Sequence, residues 1–165
     1  MEPRTHVWLI PGRLAVAERP GGGGRSHRVV RRDAELAWWR EQGVRTVVSG
    51  MDTRHGLLEA ALAGFAVRWF PIHDDDRGPR EVAELADGVA RLLDEDAGPV
   101  LVHVNRPGEW LAAADAALRL RLGLAGDVEE ALACVERDGL PVGSTTVGLI
   151  SDIGEDLHTP RSATR

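Results

Sequence analysis

The chain has 165 residues, a formal net charge of −6 and 43% hydrophobic residues. This length suits one domain with a proper core and is too short for two domains of ordinary size. No stretch approaches the roughly 20 apolar residues that a membrane span needs, and the acidic balance argues against nucleic acid as the main partner. The first residues run into folded-looking sequence instead of a secretory signal, so we expect a cytoplasmic protein. We expect one domain over residues 1–157 and a disordered tail over residues 158–165.

Strand and helix patterns alternate along the first half of the chain, which predicts an α/β fold. Short strands are predicted at residues 7–10 and 14–17, with the turn pair Pro11-Gly12 between them. The glycine run at residues 21–24 predicts a flexible surface loop. The basic run that follows predicts a solvated loop leading into a helix; it consists of Arg25, Arg28, Arg31 and Arg32.

The next elements are bounded by capping and stop signals. Asp33 is the predicted N-cap of a helix that ends at Gln42, before Gly43. A strand at residues 44–49, a helix at 55–63 and a strand at 65–70 follow. Together with the later pattern, they favour a central, mainly parallel sheet of four to five strands flanked by helices.

The second half gives clearer periodicity. One face of a third helix carries Val82, Leu85, Val89, Leu92 and Leu93 at helical spacing, and Gly98-Pro99 ends it. Residues 100–102 form a continuous apolar run, which is typical of a strand buried on both faces. Further helices are predicted from near Gly108, from the N-cap Asp127 to about Asp138, and over residues 145–157. Cys134 lies in the second of these, where we expect a packed core thiol.

The turn from His103 to Trp110 is the predicted pocket. A buried central strand that ends in a short loop and enters a helix directs free backbone N–H groups and the helix dipole at one point. Ligands of open α/β sheets also lie beyond the carboxyl ends of the strands. The candidate pocket residues are His103, Val104, Asn105, Arg106, Gly108, Glu109 and Trp110, with Asp74, Asp75 and Asp76 from the acidic loop that precedes the third helix.

Val100-Leu101-Val102-His103, the loop and the long Ala/Leu helix resemble the dual-specificity branch of the cysteine phosphatases, whose signature is His-Cys, five loop residues and Arg. Weaker matches follow in family order: an opening strand and turn at residues 8–14, a helix, Gly-Val and strand at 38–48, and a helix-turn-helix at 120–131. Phe70-Pro71-Ile72 and the acidic loop lie where the family keeps its general-acid Asp. The resemblance implies a cysteine-phosphatase-like fold.

This chain lacks the principal catalytic groups of the reaction that the resemblance implies. Val104 stands where the family has its Cys, and an alkyl group cannot attack phosphorus. Trp110 stands where the family has the Arg that binds phosphoryl oxygens. Pro107 removes a backbone donor, and Glu109 places a negative charge where a dianion would bind. The loop is therefore not predicted to act as a phosphatase loop.

Several alternatives stay open for these residues. A His/Asp metal site from His73, His103 and the acidic loop is conceivable, but its spacing matches no metal motif, and we predict neither metal nor cofactor. Glu109 could form an acid–base pair with one Asp of residues 74–76. Arg106 could hold an anionic ligand, or pair with Glu109 and close the loop, which we favour. Trp110 is expected to fill the cavity more readily than to stack on a ligand.

The leading hypothesis is a catalytically inactive phosphatase-like domain that serves as a binding or regulatory module. Its partner would be an unidentified protein or a small anionic or polar ligand. The alternatives are a phosphoesterase or other hydrolase with a non-standard acid–base site, and a purely structural subunit.

Overall fold

The computed structural model describes residues 1–22, 28–104 and 108–158. Within them lie five strands and six helices. In chain order these are β1 (His6–Ile10), β2 (Leu14–Glu18), α1 (Val29–Glu41), β3 (Thr46–Ser49), α2 (Leu57–Leu62), β4 (Ala66–Trp69), α3 (Gly78–Asp94), β5 (Val100–Val104), α4 (Glu109–Arg121), α5 (Val128–Arg137) and α6 (Ser144–His158). No helix in these ranges has the length and apolar character needed to cross a membrane.

The strands form one mixed sheet in the order β1-β2-β5-β3-β4. The hairpin of β1 and β2 is antiparallel, whereas the pairs β2–β5, β5–β3 and β3–β4 are parallel. The predicted mainly parallel α/β sheet is therefore confirmed, with five strands. Central β5 pairs on both sides, because Val102 lies opposite Val16 on one neighbour and Val48 on the other.

Successive residues of β5 point to opposite faces of the sheet, as the pleat requires. Val100, Val102 and Val104 belong to the larger apolar core, which includes residues of α3, α4, α5 and α6. Leu101 belongs to a smaller cluster with residues of α1 and α2. The sheet is thus covered thickly on one face and thinly on the other.

Helix α3 approaches the end of β4 at a glycine. A Cβ atom placed on buried Gly88 would lie 2.3 Å from Cζ of Phe70, which is far inside van der Waals contact. The Phe70 ring therefore lies directly against the helix backbone. This contact sets how close α3 can come to the sheet.

Helix α4 is buried on all sides and still carries charged residues. Its Arg119 Nε donates to Asp115 at 2.6 Å, and the same guanidinium also contacts Asp138. Asp115 is fully buried, and this burial raises its pKa to about 6 against the opposing effect of Arg119. A buried acid with a raised pKa is less stable as a carboxylate than the same group in water.

Two predictions at the start of α1 are wrong. The helix begins at Val29, four residues before the predicted N-cap Asp33. Arg31 lies inside α1, where it contacts Glu18 and donates to Glu35 at 2.6 Å, so the basic run is not simply solvated. The i,i+4 pair with Glu35 and the strand carboxylate of Glu18 stabilise the extra turn. Arg28 is exposed, and Arg25 lies outside the described residues.

The predicted flexible glycine loop is wrong for its first two residues. Gly21 and Gly22 are buried, and the N–H of Gly21 donates to Glu35 Oε2 at 2.7 Å. The other two glycines of the run, and the tail residues 159–165, lie outside the described residues. His158, which we placed in the tail, is the last residue of α6.

Two strands begin later than predicted, and helix ends explain both differences. The N–H of Val44 donates to Trp39 O at 3.1 Å, and that of Phe65 donates to Ala60 O at 3.2 Å. Each apolar residue therefore closes the end of the preceding helix instead of opening a strand, as in a Schellman motif.

Candidate functional site

The predicted pocket lies at the edge of the sheet where β2, β5 and β3 all end. Parallel strands bring their carboxyl ends to one edge, and α4 begins at Glu109, shortly after β5 ends at Val104. Asn105, Arg106 and Pro107 lie outside the described residues, and with them any Arg106–Glu109 pair. The neighbouring residues 103, 104 and 108–110 are described, and each has a definite environment.

Val104 points into the larger core. It is 2% exposed, and a Cβ atom placed on Gly50 would lie 3.0 Å from Val104 Cγ1. The same point would lie 3.2 Å from both Ile72 and Leu85. The isopropyl group therefore fills a tight apolar corner between β3 and α3.

Trp110 lies in the first turn of α4 and reaches across to the start of α3. A Cβ atom placed on Gly78 would lie 2.6 Å from Cη2 of Trp110 and 2.9 Å from the carbonyl oxygen of His73. The half-buried indole thus packs on the backbone of Gly78, at the end of the acidic loop. It occupies space between α4 and that loop.

Glu109 is engaged with the last helix. Its Oε1 accepts from the N–H of Thr145 at 3.0 Å, and its carbonyl oxygen accepts from Thr146 Oγ1 at 3.0 Å. A Cβ atom on Gly143 would lie 2.0 Å from Glu109 Oε1, so the carboxylate sits against the backbone there. A carboxylate at this place satisfies a free N–H group of the first turn of α6 and complements the helix dipole.

The three carboxylates of the acidic loop are exposed. Asp75 accepts from the backbone N–H of Arg77 at 2.9 Å and from its Nε at 3.0 Å. These bonds from Arg77 hold the pKa of Asp75 down to about 2. Asp75 is therefore ionised at neutral pH and suited to ordering the turn, not to donating a proton.

His73 precedes the acidic loop and is bound to α3. Its backbone N–H donates to Glu81 Oε2 at 2.7 Å, and its Nδ1 lies 2.9 Å from Glu81 Oε1. Within the described ranges, no group of three His, Cys, Asp or Glu side chains is arranged to hold a metal ion.

His103 points to the opposite face of the sheet from Val104. It is 5% exposed and lies in register with Ala17 and Ser49 on the flanking strands. Burial, and to a smaller degree the charge of Arg19, lowers its pKa to about 4. Its Nδ1 has no hydrogen-bond partner among the described residues. The imidazole is therefore neutral at pH 7.

The sequence reasoning missed the polar cluster on this face. Arg19 lies next to His103, and Glu18, Arg31 and Glu35 form an ion-pair network beside them. The only signal readable from the sequence was the i,i+4 spacing of Arg31 and Glu35.

No protein-family model matches the sequence, and no curated protein matches it. Among solved structures, the active form of Tk-PTP has a TM-score of 0.70 at 18% identity, covering 92% of this chain and 97% of its own. TpbA of P. aeruginosa has a TM-score of 0.67 at 19% identity, with 88% and 84% covered. A kinase associated phosphatase whose catalytic cysteine is replaced by serine has a TM-score of 0.66 at 17% identity, with 89% and 88% covered. This chain has the fold of the protein-tyrosine and dual-specificity phosphatases.

Proposed function

We propose that this chain is a catalytically inactive phosphatase-like domain that acts by binding, as a regulatory module. The observation that carries the proposal is the environment of Val104. The residue after His103 at the end of β5 is an alkyl side chain, 2% exposed and packed against Gly50. A covalent phosphoenzyme needs a thiolate or another nucleophile at this position, and an isopropyl group supplies none.

Two neighbouring residues support the same proposal. Trp110 replaces a guanidinium with an indole that packs on Gly78, so it cannot form bidentate bonds to phosphoryl oxygens. Glu109 uses its carboxylate on the N–H of Thr145. Each of these loop residues thus stabilises the fold where an active loop would bind substrate.

The alternative of an acid–base hydrolase receives less support from the geometry. Glu109 is held at the start of α6, whereas Asp75 is held by Arg77 with a pKa near 2. A general acid or base works best with a pKa near the working pH. The proposal therefore takes Glu109 and the acidic loop as structural. Its partner would be a protein or a small anionic or polar ligand, and its location the cytoplasm.

The proposal is tested by hydrolysis of p-nitrophenyl phosphate. We expect turnover by the wild-type protein to equal the background without protein. We expect the double variant V104C/W110R to gain activity that iodoacetate blocks, because it restores both nucleophile and guanidinium. The matched control is V104A/W110R, which carries the same guanidinium without a thiol and should stay inactive.

Wild-type turnover that is lost in E109Q, or in Asp→Asn changes at positions 74–76, would overturn the proposal in favour of the acid–base hydrolase. Activity of V104A/W110R equal to that of V104C/W110R would show that the restored thiol is not the nucleophile. Circular dichroism and melting of each variant establish that it is folded before its activity is compared.

A further inference from the structure

A groove runs between α1 and α2, the two helices that cover the thin face of the sheet. Two hydrogen bonds join the helices along it: Arg32 Nη1 donates to Glu59 Oε1 at 3.0 Å, and Arg40 Nη1 donates to Ala63 O at 3.0 Å. The groove has a volume of about 310 Å³ and buried Leu36 lies among its lining residues. It is built from α1, α2 and the residue that ends α2, and so lies apart from the loop at the end of β5.

Apolar side chains at the rim of this groove are exposed to solvent. Leu62 lines the groove and is 78% exposed, and Leu58, one helical turn earlier on α2, is 68% exposed. On the other wall, Ala37 of α1 is exposed as well. Single exposed hydrophobic residues are common on any protein surface, whereas leucines grouped beside a concave surface mark an interaction site.

The charged residues that line the groove cancel each other. They are two arginines, Arg32 and Arg40, and two carboxylates, Asp33 and Glu59. The chain as a whole has a net charge of −6. A groove without net charge selects neither a strongly acidic nor a strongly basic protein, and two copies of this acidic chain do not repel each other there.

The order of charges along α1 is complementary to itself. Asp33 and Arg40 are both exposed, and Arg40 follows seven positions later, which is two helical turns, so both lie on one face with Ala37 between them. When two such helices cross antiparallel about a twofold axis near Ala37, Asp33 of each copy lies opposite Arg40 of the other. A parallel crossing would place like charges opposite each other. Each group has capacity for a further bond, since a carboxylate accepts at two oxygens and a guanidinium carries five N–H groups.

We propose that the groove between α1 and α2 is the interface of a symmetric dimer of this chain. The twofold axis passes near Ala37, whose small side chain lets the two copies of α1 approach closely. Asp33 and Arg40 form two equivalent ion pairs across the axis, and Leu62 of each copy packs on the other. The surface is small, so we expect a dissociation constant of about 10–100 µM. The dimer does not depend on the proposed loss of catalysis, since it uses different residues.

Sedimentation equilibrium of the full chain between about 1 µM and 1 mM tests the association. We expect the average mass of the wild type to rise from that of a monomer toward that of a dimer. In Arg40→Glu a carboxylate faces Asp33 of the other copy, and in Asp33→Arg a guanidinium faces Arg40. Because both ion pairs become repulsive, we expect the dissociation constant of each variant to rise by about tenfold or more.

The two charge variants should restore the dimer when they are mixed. Pairing one copy of Arg40→Glu with one copy of Asp33→Arg opposes unlike charges at both positions, so we expect the equimolar mixture to dimerise about as tightly as the wild type. Each substitution changes the net charge of −6 by two units, so both variants stay acidic and overall attraction does not explain the rescue. The matched control is Arg80→Glu on α3, which is exposed and should dimerise like the wild type.

The apolar part of the interface is tested by Leu62→Ala. We expect its dissociation constant to rise by about fivefold, because apolar surface that the dimer would bury is removed. Leu62 is exposed in the single chain, so this truncation leaves the fold intact. Circular dichroism establishes that each variant is folded, and Leu62→Ala carries the test should a charge variant fail to fold.

Three results would each overturn the proposal. A wild-type chain that stays monomeric at about 1 mM would leave the groove to a protein of another kind. Dimerisation of folded Arg40→Glu or Leu62→Ala equal to that of Arg80→Glu would place the interface on another surface. A mixture of the two charge variants that associates no more tightly than either alone would contradict the antiparallel pairing. None of these outcomes bears on phosphatase activity, so failure here is distinguishable from failure of the proposed function.

Discussion

The two faces of the sheet treat neighbouring residues of β5 in opposite ways. Val104 enters an apolar corner closed by Gly50, Ile72 and Leu85. His103 enters a layer of charged groups that includes Arg19, and its Nδ1 has no hydrogen-bond partner among the residues that the structure describes. The thick face therefore holds an alkyl side chain in the apolar core, whereas the thin face holds a buried imidazole near a guanidinium. The comparison teaches that two adjacent residues of one strand can lie in environments of opposite polarity, because the pleat directs them to different faces of the sheet.

The largest expected effect comes from placing a charge on the apolar face. Val104→Asp would bury a carboxylate that has no partner there, and we expect a loss of at least about 3 kcal/mol in the free energy of unfolding. Urea denaturation measures it. Val30→Asp is the matched control, because Val30 is 83% exposed near the start of α1. The control should change stability by no more than about 0.5 kcal/mol. Equal losses in both variants would mean that Val104 is not core.

The next effect is the pH dependence of the free energy of unfolding, to which two buried ionisable groups contribute with opposite sign. The pKa of His103 is lowered from 6.5 to about 4. Its contribution to the free energy of unfolding is therefore fully present above pH 6.5 and is lost as the pH falls toward 4. The pKa of Asp115 is raised from 3.8 to about 6. Its contribution to the free energy of unfolding is therefore fully present below pH 3.8 and is lost as the pH rises toward 6. Each shift corresponds to about 3 kcal/mol across its window, and the two slopes oppose each other.

We therefore expect the two groups to change the free energy of unfolding in opposite directions between pH 4 and 6, and two variants to separate their contributions. Asp115→Asn should lose stability as pH falls through this window, while His103→Gln should gain it. The pKa of His6 is also lowered by burial, which adds to the slope of His103. Urea denaturation at several pH values measures both. Parallel curves for the two variants would refute the opposed assignment.

The smallest effect concerns the contact between α4 and α6. Glu109→Ala removes the acceptor for the N–H of Thr145, and we expect a loss of about 1 kcal/mol, as for a helix N-cap. Glu109→Gln keeps an oxygen acceptor and should lose less, since only the charge near the helix dipole is removed. Thermal melting resolves the order. Exposed Glu136→Ala is the control, and it should not change stability measurably.

Much of the fold could be read from the sequence because its signals are local. The apolar run before His103 gave the central strand, and Asp127 is the N-cap of α5, with its side chain accepting from the N–H of Glu130 at 2.8 Å. The predicted boundaries of β3 and β4 were wrong at their first residues. Val44 and Phe65 are apolar residues that suit a strand, but their N–H groups bond the ends of the preceding helices. Local pattern alone does not distinguish these two uses of the same residue type.

The environment of the candidate site was harder to predict because its contacts join distant segments. Glu109 was weighed as an acid or as a partner of Arg106, but its carboxylate binds Thr145 on a helix that comes much later in the chain. Arg19 meets His103 only because β2 and β5 are neighbours in the sheet. Such pairs depend on strand order and helix packing, which spacing along one chain does not encode.

The contact between Gly88 and the Phe70 ring has a mechanical consequence for the acidic loop. A helix whose backbone rests on an aromatic face can neither rotate nor slide without driving a side chain into that ring. The segment from Pro71 to Arg77 joins Phe70 to α3, so the residue before the acidic loop packs on the helix that follows the loop. A swing of α3 away from the sheet would therefore separate Gly88 from the Phe70 ring, and this packing opposes such a movement.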